Sequence, residues 1–499
     1  MIRQYFEKNT FKKLALWLLL IYLVRGFYLV FGPFDLFTEE AQYWVWSKQL
    51  ALSYYSKPPL IAYINWLSTS LFGSTEFSIK FNALIFGYGF SLVLYLITHE
   101  IFKNRWLAVL ATLLSLTLPF NHTVFNLFLT DTPLIFFWTL SLFFFWIAVH
   151  QDKMLGWLGL GVSCGLGFLA KYTMVFFAPF ALLYLLIYQK QILLKPGIYA
   201  TLIVALLVAS PVFIWNFQMD FISFKHVESI GKSSLTAEKR LAFFSEYLGG
   251  QIAIVSPFLF FYLIPYFRFR QFQSKKLGFL LLGPLLAFGF FLIYSLTRRV
   301  EVNWPIFAYA TLPILFADAY LQVSRKRLFF WLSGISFALC GLFFYFTPQL
   351  HQIGFSHLLP PKSDPAARVI GWEELGKTLN KHIDEVGDGS YFLFSESYHT
   401  ASTASFYSRD QTRPYVINLG RRQNQFDLWE GIEQFEGTAA IGIYVTRQPN
   451  LPESVISGFD HLIRIDTVPA RLGNEVVKRT IVATLVGFNH IQETSTDAY

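Results

Sequence analysis

Two adjacent carboxylates, Glu39 and Glu40, open the run "TEEAQYWVWSKQLALSYYSKPPL" at residues 38–60, directly after an apolar N-terminal segment. Ionisable groups at the edge of a lipid-embedded stretch are expensive and count as functional suspects. The plainer role is a solvated helix start, because acids favour a helix N-terminus and Thr38 is a candidate N-cap. Neighbouring side chains on a helix diverge by about 100°. At most one of the two acids therefore faces a shared site, and the other is free to hold the loop in place. Asp131, in "LTDTPLIFFW", is a third acid at the start of an apolar segment, with Pro133 at an early helical position. Capping is again the simple role, and a second site carboxylate is the alternative.

Cations accompany these acids. Lys57 precedes Pro58-Pro59, and Lys171 follows "GLGFLA" at a junction before Tyr172. An interfacial lysine either snorkels or meets an anionic head group. "SLTRRVEVNWPIF" adds Arg298, Arg299, Glu301 and Asn303, while His226 sits in "FISFKHVESIGK". A lone loop histidine is more often structural than catalytic. Together these residues suit chemistry on a lipid phosphate. Cations stabilise the phosphate as it leaves, and a carboxylate takes the proton from the attacking nucleophile.

These residues have to be held in place by membrane spans. The chain has 499 residues, 54% of them hydrophobic, 19% aromatic and 14% charged, against about 25% charged in a soluble domain. Apolar stretches long enough to cross about 30 Å of hydrocarbon fall at residues 14–32, 78–98, 106–121, 132–149, 155–170, 173–188, 197–215, 251–267, 277–295, 304–321 and 328–347. This is eleven spans, with the pair around Ala170-Lys171 free to merge. The expected architecture is a transmembrane domain over residues 1–348 and a soluble α/β domain over 349–499. In the latter, "GWEELGKTLNKHIDEV", "ASTASFYS" and "QFDLWEGIEQF" read as helical, and "SYFLFS", "PYVINL" and "AAIGIYVT" as strands.

The net charge of +8 lies mainly in loops between apolar segments. It follows the positive-inside rule and points to orientation, not to a nucleic acid. The N-terminus is expected in the cytoplasm and, by odd parity, the C-terminal domain outside the plasma (inner) membrane. No removable signal peptide is expected. The outer loop 33–77 is aromatic enough for short interfacial helices, separated at Pro58-Pro59. Cys164 and Cys340 both lie in apolar segments and imply neither a disulfide framework nor a metal site.

The run "TEEAQYWVWSKQLALSYYSKPPLIAYI" resembles the first outer loop of bacterial glycosyltransferase family 39, relatives of the protein mannosyltransferases and the lipid A aminoarabinose transferase. That loop typically reads D-E-A-x-Y-W-x-W-S, then H/K-P-P-L/M. "FLTDTPLIFFWTL", "GLGFLAKYTMVF", "FISFKHV" and "VEVNWPIFAY" follow in the family's order, with "VIGWEELG" and "QFDLWEG" in the tail. The resemblance implies a GT-C fold of about eleven transmembrane helices and a donor sugar carried on polyprenyl phosphate. Transfer would occur on the outer face, with inversion, to a lipid, glycan or protein acceptor.

Residue by residue, Glu39 stands where the family has Asp, and Glu40 matches its Glu. Asp131 matches the acid before the fourth span, and Lys57 takes the H/K place. Lys171, His226, Glu301 and Asn303 fall in recurrent motifs. The resemblance implies Glu39 as base, with Glu40 and Asp131 in the catalytic set. Lys57, Lys171 and Arg298 or Arg299 would stabilise the phosphate, and Tyr55 and Tyr172 join the substrate-binding set. Some GT-C enzymes use a divalent cation, which Glu39 and Asp131 could bind, although no ligand spacing demands one. The alternatives are a lipid-linked sugar flippase or transporter and a non-catalytic scaffold. Transporters usually place charges near mid-membrane and show repeated halves. This chain shows no internal repeat, and its charges sit at span ends.

Overall fold

The computed structural model describes residues 9–229, 237–259, 274–322, 326–354, 364–387 and 389–494. Helix α1 (Thr10–Phe31) is apolar along its length and leaves Leu23, Val24, Phe27 and Phe31 at least 60% exposed, as a lipid-facing surface requires. After a short extended stretch come α2 (Thr38–Lys48) and α3 (Leu60–Phe72), which starts directly after Pro58-Pro59. Helix α4 (Glu76–Phe102) opens with a cap in which Thr75 accepts from the Ser78 amide. Helices α5 (Arg105–Ser115) and α6 (Pro119–Phe125) meet at a bend of 68°. Proline at the start of α6 cannot continue the hydrogen-bond ladder of α5.

Helix α7 (Asp131–Gln151) lies at the centre, with most of its residues buried. Helix α8 (Met154–Ala170) packs beside it through glycines: a Cβ on Gly156 would meet the Ala148 backbone, and one on Gly159 the Phe144 ring. It stops at Lys171, whose backbone is extended, and a 3-10 turn (Tyr172–Phe176) leads into α9 (Phe177–Tyr188). Next come α10 (Pro196–Gln218), α11 (Ile222–Ser229), α12 (Ala237–Val255) and α13 (Lys275–Ser295). A 3-10 turn (Ile306–Thr311) then precedes α14 (Leu312–Gln322), α15 (Lys326–Tyr345) and α16 (Thr347–Gln352).

Among the described residues, six helices are long and apolar enough to cross a membrane alone, or seven if the bent α5–α6 pair is one span. The segments expected at 155–170, 173–188 and 304–321 fall on shorter apolar helices. The one expected at 251–267 runs beyond the described residues. A count of eleven is therefore not established, although the break at Ala170-Lys171 separates the two segments that could have merged.

The C-terminal unit is a five-stranded sheet with strand order β2-β1-β3-β5-β4. Its elements are α17 (Trp372–Val386), β1 (Tyr391–Ser395), α18 (Tyr398–Tyr407), β2 (Pro414–Val416), β3 (Ile441–Thr446), β4 (Phe459–Leu472) and β5 (Glu475–Phe488). Strands β1, β2 and β3 are parallel, while β5 is antiparallel to both β3 and β4. Alternation along the strands gives two cores. Leu393, Ile443, Val445 and Val482 pack under Trp372, Leu375 and Leu379 of α17, while Phe392, Phe394, Tyr444 and Leu485 fill the other face. "QFDLWEGIEQF", expected as a helix, is two 3-10 turns, Gln425–Leu428 and Ile432–Phe435. The β4–β5 hairpin had no counterpart in the sequence reading.

The two units meet over the first loop. Helix α2 buries every residue from Glu40 to Ser47. Trp44 meets Phe406 of α18 edge-on at 5.0 Å. The expected interfacial helix is thus enclosed at α2, because α18 covers the face that would otherwise meet water. Helix α3 keeps an open apolar side at Trp66, Leu67 and Leu71.

Candidate active site

Phe37, not Thr38, is the N-cap of α2, and Thr38 is its first helical residue. Side-chain capping comes instead from Glu40, whose Oε2 accepts from the Phe37 amide at 2.9 Å. Its Oε1 accepts from the Phe128 amide at 2.7 Å. Glu40 is fully buried; burial drives its pKa up to about 7, against the pull of the Phe128 and Phe37 amides. Oε2 thus caps α2 itself, while Oε1 ties the helix to the turn before α7. Glu40 is therefore the acid that holds the loop, as expected for one of two diverging neighbours.

Glu39 points elsewhere. It is half-buried and accepts no hydrogen bond among the described residues. Burial raises its proton affinity, Lys57 and then Lys171 oppose the rise, Asp131 adds to it, and Arg368 opposes it weakly. These groups share one electrostatic neighbourhood. Lys57 makes no ion pair among the described residues. Burial and the nearby Lys171 depress its pKa, while Glu39 and Asp131 support its charge.

Asp131 is the first residue of α7, yet its carboxylate does not cap that helix. Oδ1 accepts from Lys171 Nζ at 2.7 Å and Oδ2 from Asn303 Nδ2 at 2.8 Å. The start of α7, the end of α8 and the loop before α14 are thus pinned together beside Glu39. The Lys171–Asp131 pair is buried, with side chains less than 10% exposed.

The remaining candidates divide. Tyr172 contacts Ser53 through its hydroxyl at 3.3 Å. The Tyr55 amide donates to Gln425 Oε1 at 2.7 Å. The His226 ring lies 4.9 Å from that of Tyr55, and burial with Arg422 and Lys57 nearby lowers its pKa to about 4. These three line the first loop near Lys57. Arg298 instead donates to the Tyr294 hydroxyl and sits over its ring. Arg299 pairs with Glu246 at 2.6 Å, and Glu301 is exposed and acts on Arg299. The structure brings Asn303 into the Asp131 group, while Arg298 and Arg299 turn to Tyr294 and Glu246 and Glu301 lies exposed.

Several residues were not singled out from sequence. Arg368 and Tyr398 act on or are acted on by Glu39, and Arg422 approaches His226. All three come from the C-terminal unit. Arg368 lies just before "VIGWEELG", and Arg422 precedes "QFDLWEG", so the recurrent motifs marked their neighbourhoods. Arg25 of α1 is buried and donates to Asn126 Oδ1 at 2.5 Å and Asn121 Oδ1 at 3.1 Å. It steadies α6 and the start of the turn into α7.

A helical membrane unit with acids and lysines at one end, covered there by an α/β domain, is the architecture of the GT-C glycosyltransferases. The solved structure of ArnT from Cupriavidus metallidurans bound to undecaprenyl phosphate matches it with a TM-score of 0.64. That match covers 94% of this chain and 97% of ArnT at 15% identity. The oligosaccharyltransferase AglB from Archaeoglobus fulgidus, in complex with an inhibitory peptide and a dolichol-phosphate, matches with a TM-score of 0.51 and 13% identity. It covers 88% of this chain and 70% of AglB. Residues 56–215 match the family model described as dolichyl-phosphate-mannose-protein mannosyltransferase.

By sequence the chain is 29% identical over 425 residues to the lipid A galacturonosyltransferase RgtD of Rhizobium johnstonii, covering 79% of this chain and 87% of that protein. It is also 29% identical over 176 residues to an undecaprenyl phosphate-alpha-4-amino-4-deoxy-L-arabinose arabinosyl transferase of Proteus mirabilis. That match covers 33% of this chain and 31% of the relative. The fold is that of the GT-C class and the chain is a membrane glycosyltransferase, similar over most of its length to a protein named as a lipid A galacturonosyltransferase.

Proposed function

We propose that the enzyme moves a sugar from a polyprenyl-phosphate donor to a lipid A-type glycolipid at the outer face of the inner membrane. The observation that carries this reading is Glu39: a half-buried carboxylate with no hydrogen-bond partner among the described residues, beside Lys57 and the Asp131–Lys171–Asn303 group. The acceptor class is drawn from the relatives' names, RgtD above all.

Glu39 accepts the acceptor's proton as the acceptor oxygen bonds to the anomeric carbon. The carbon–phosphate-oxygen bond breaks on the opposite side, the configuration inverts, and polyprenyl phosphate leaves. Lys57 carries the positive charge that meets it. Asp131, already bound by Lys171 and Asn303, positions the site. This donor set suits an anion better than a divalent cation, since both Asp131 oxygens are engaged and Lys57 lies close. No three His, Cys, Asp or Glu side chains cluster as metal ligands among the described residues.

The opposite end of the bundle supports the proposed sidedness. There Lys195 pairs with Asp152, Gln151 donates to Glu100, and Lys276 lies over Phe102. These basic loops suit the cytoplasm, which supports reading Glu39 and the α/β unit as facing outward. The test is transfer of labelled sugar from polyprenyl phosphate to lipid A by purified enzyme. Full-rate transfer by a normally folded Glu39→Gln variant would refute the base assignment. Movement of intact donor without transfer would favour a flippase.

A further inference from the structure

A second cationic group lies in the C-terminal unit, where parallel strands β1 and β3 end. Open α/β sheets bind ligands in the crevice beyond such strand ends, where the connections diverge to opposite sides. Arg447 follows the last residue of β3. Lys478 of β5 lies beyond the Thr446–Ile481 register pair. His399 is in the first turn of α18, after β1. Trp372 at the start of α17 is the common wall of Arg447 and Lys478. Lys478 Nζ is 3.7 Å from its ring centre, and Arg447 Cζ is 6.0 Å away.

The charges here do not balance. Lys478 is only 9% exposed, and its buried ammonium has no hydrogen-bond partner among the described residues. Neither Lys478 nor Arg447 makes an ion pair among those residues. Asp35 is the acid that acts on Lys478, but its Oδ2 already accepts from the Trp372 amide at 2.6 Å. Burial and repulsion from Arg447 outweigh Asp35 and depress Lys478 to about 7. Arg447 likewise helps depress His399, after burial. Holding two cations together over an indole without a paired carboxylate is costly unless an anion completes the group. The group adjoins the catalytic end: Trp372 Nε1 donates to the Arg368 carbonyl at 3.1 Å, and Arg368 is one of the charges that act on Glu39.

We infer that Lys478 and Arg447, on the Trp372 wall, form an anion subsite that holds a phosphomonoester of the acceptor while its hydroxyl meets Glu39. This rests on the proposed transferase reading and adds the anchor that selects phosphorylated acceptors. A guanidinium grips two phosphate oxygens, and a lysine adds a point charge.

The test uses the full-length enzyme in lipid nanodiscs. Inorganic phosphate is titrated first, with thermal midpoint and tryptophan emission as readouts. Transfer is then measured to a bisphosphorylated glycolipid and to its phosphatase-treated form. Lys478→Met and Arg447→Gln are expected to weaken phosphate binding and raise KM for the phosphorylated acceptor by about tenfold each, with kcat nearly unchanged. KM for the dephosphorylated acceptor should not move, and Lys478→Arg should restore binding. Because Arg447 is exposed, its variant keeps the question open if Lys478→Met unfolds. Unchanged phosphate binding in both variants would overturn the site. Loss of free-phosphate binding with no change in either KM would overturn its role in acceptor selection, and equal KM changes for both acceptors would do the same. If wild-type enzyme transfers nothing, the transferase reading fails on its own, while the phosphate titration still reports on the subsite.

Discussion

Asp131 and Lys171 form a buried ion pair at 2.7 Å between the start of α7 and the end of α8, and Asn303 occupies the other carboxylate oxygen. Removing one member of a buried pair costs about 3–5 kcal/mol because the other charge is stranded. Asp131→Asn should therefore lower the thermal midpoint sharply and abolish transfer. Asp131→Asn with Lys171→Met should cost less than the two single changes summed, as contacting residues do not add. Simple additivity in unfolding measurements would refute the coupling.

The neighbouring acids should separate cleanly. Glu39→Gln is expected to keep its folding and lose transfer by about 10²–10⁴-fold, the range for a positioned general base. Glu40→Ala should do the reverse in emphasis. It leaves the Phe37 and Phe128 amides without their acceptor, at about 1–3 kcal/mol for each buried group, and any loss of rate should track loss of folded enzyme. Single-turnover rates normalised to folded protein distinguish the two.

The pH profile follows from the direction of the Glu39 shift. A base held above its ordinary value of 4.5 ionises later, so kcat/KM should rise with pH above the usual carboxylate range. Lys57 is the strongest opposing charge, so Lys57→Met should move this acidic limb to higher pH. The sign for stability is opposite to that for activity. A raised folded pKa binds the proton more tightly in the fold, so Glu39 contributes stability at low pH that disappears as pH rises through its folded pKa. Wild type should therefore lose thermal midpoint relative to Glu39→Gln as pH rises above 4.5.

The cover over the first loop hangs on Tyr407. Its hydroxyl donates to Glu76 Oε1 at 2.6 Å and accepts from the Leu36 amide at 2.7 Å. Tyr407→Phe should cost about 1–3 kcal/mol, because a charged acceptor and a backbone donor lose one shared partner. Hydrogen exchange should speed up at residues 34–40 and in α18. Unaltered exchange there would show that the cover is held by apolar contacts such as Trp44–Phe406 alone.

Membrane character, the strands β1 to β3 and the acids and lysines of the site were all legible in linear order. Apolar run length reports lipid directly, and alternation reports buried strands. Motif order brought Glu39, Lys57, Asp131, Lys171 and Asn303 into one list. The β4–β5 hairpin escaped because its edge strand β4 keeps Ile463 and Ile465 exposed and carries Pro469, blurring the alternation. Arg368 and Arg422 escaped because a charge in a soluble tail looks solvated until the fold shows what it faces.

Glu39 and Glu40 divide what sequence and structure each determined. Sequence alone established that the acids stand at a membrane boundary and that helical geometry must send them apart. Which acid went where was set by packing between segments far apart in the chain. The backbone amides converging on Glu40 come from Phe37 and from Phe128, the latter 88 residues beyond Glu40. The charges around Glu39 come from four separate parts of the chain. Local spacing sets direction along a helix, but hydrogen-bond supply and field at a side chain are sums over everything that packs around it.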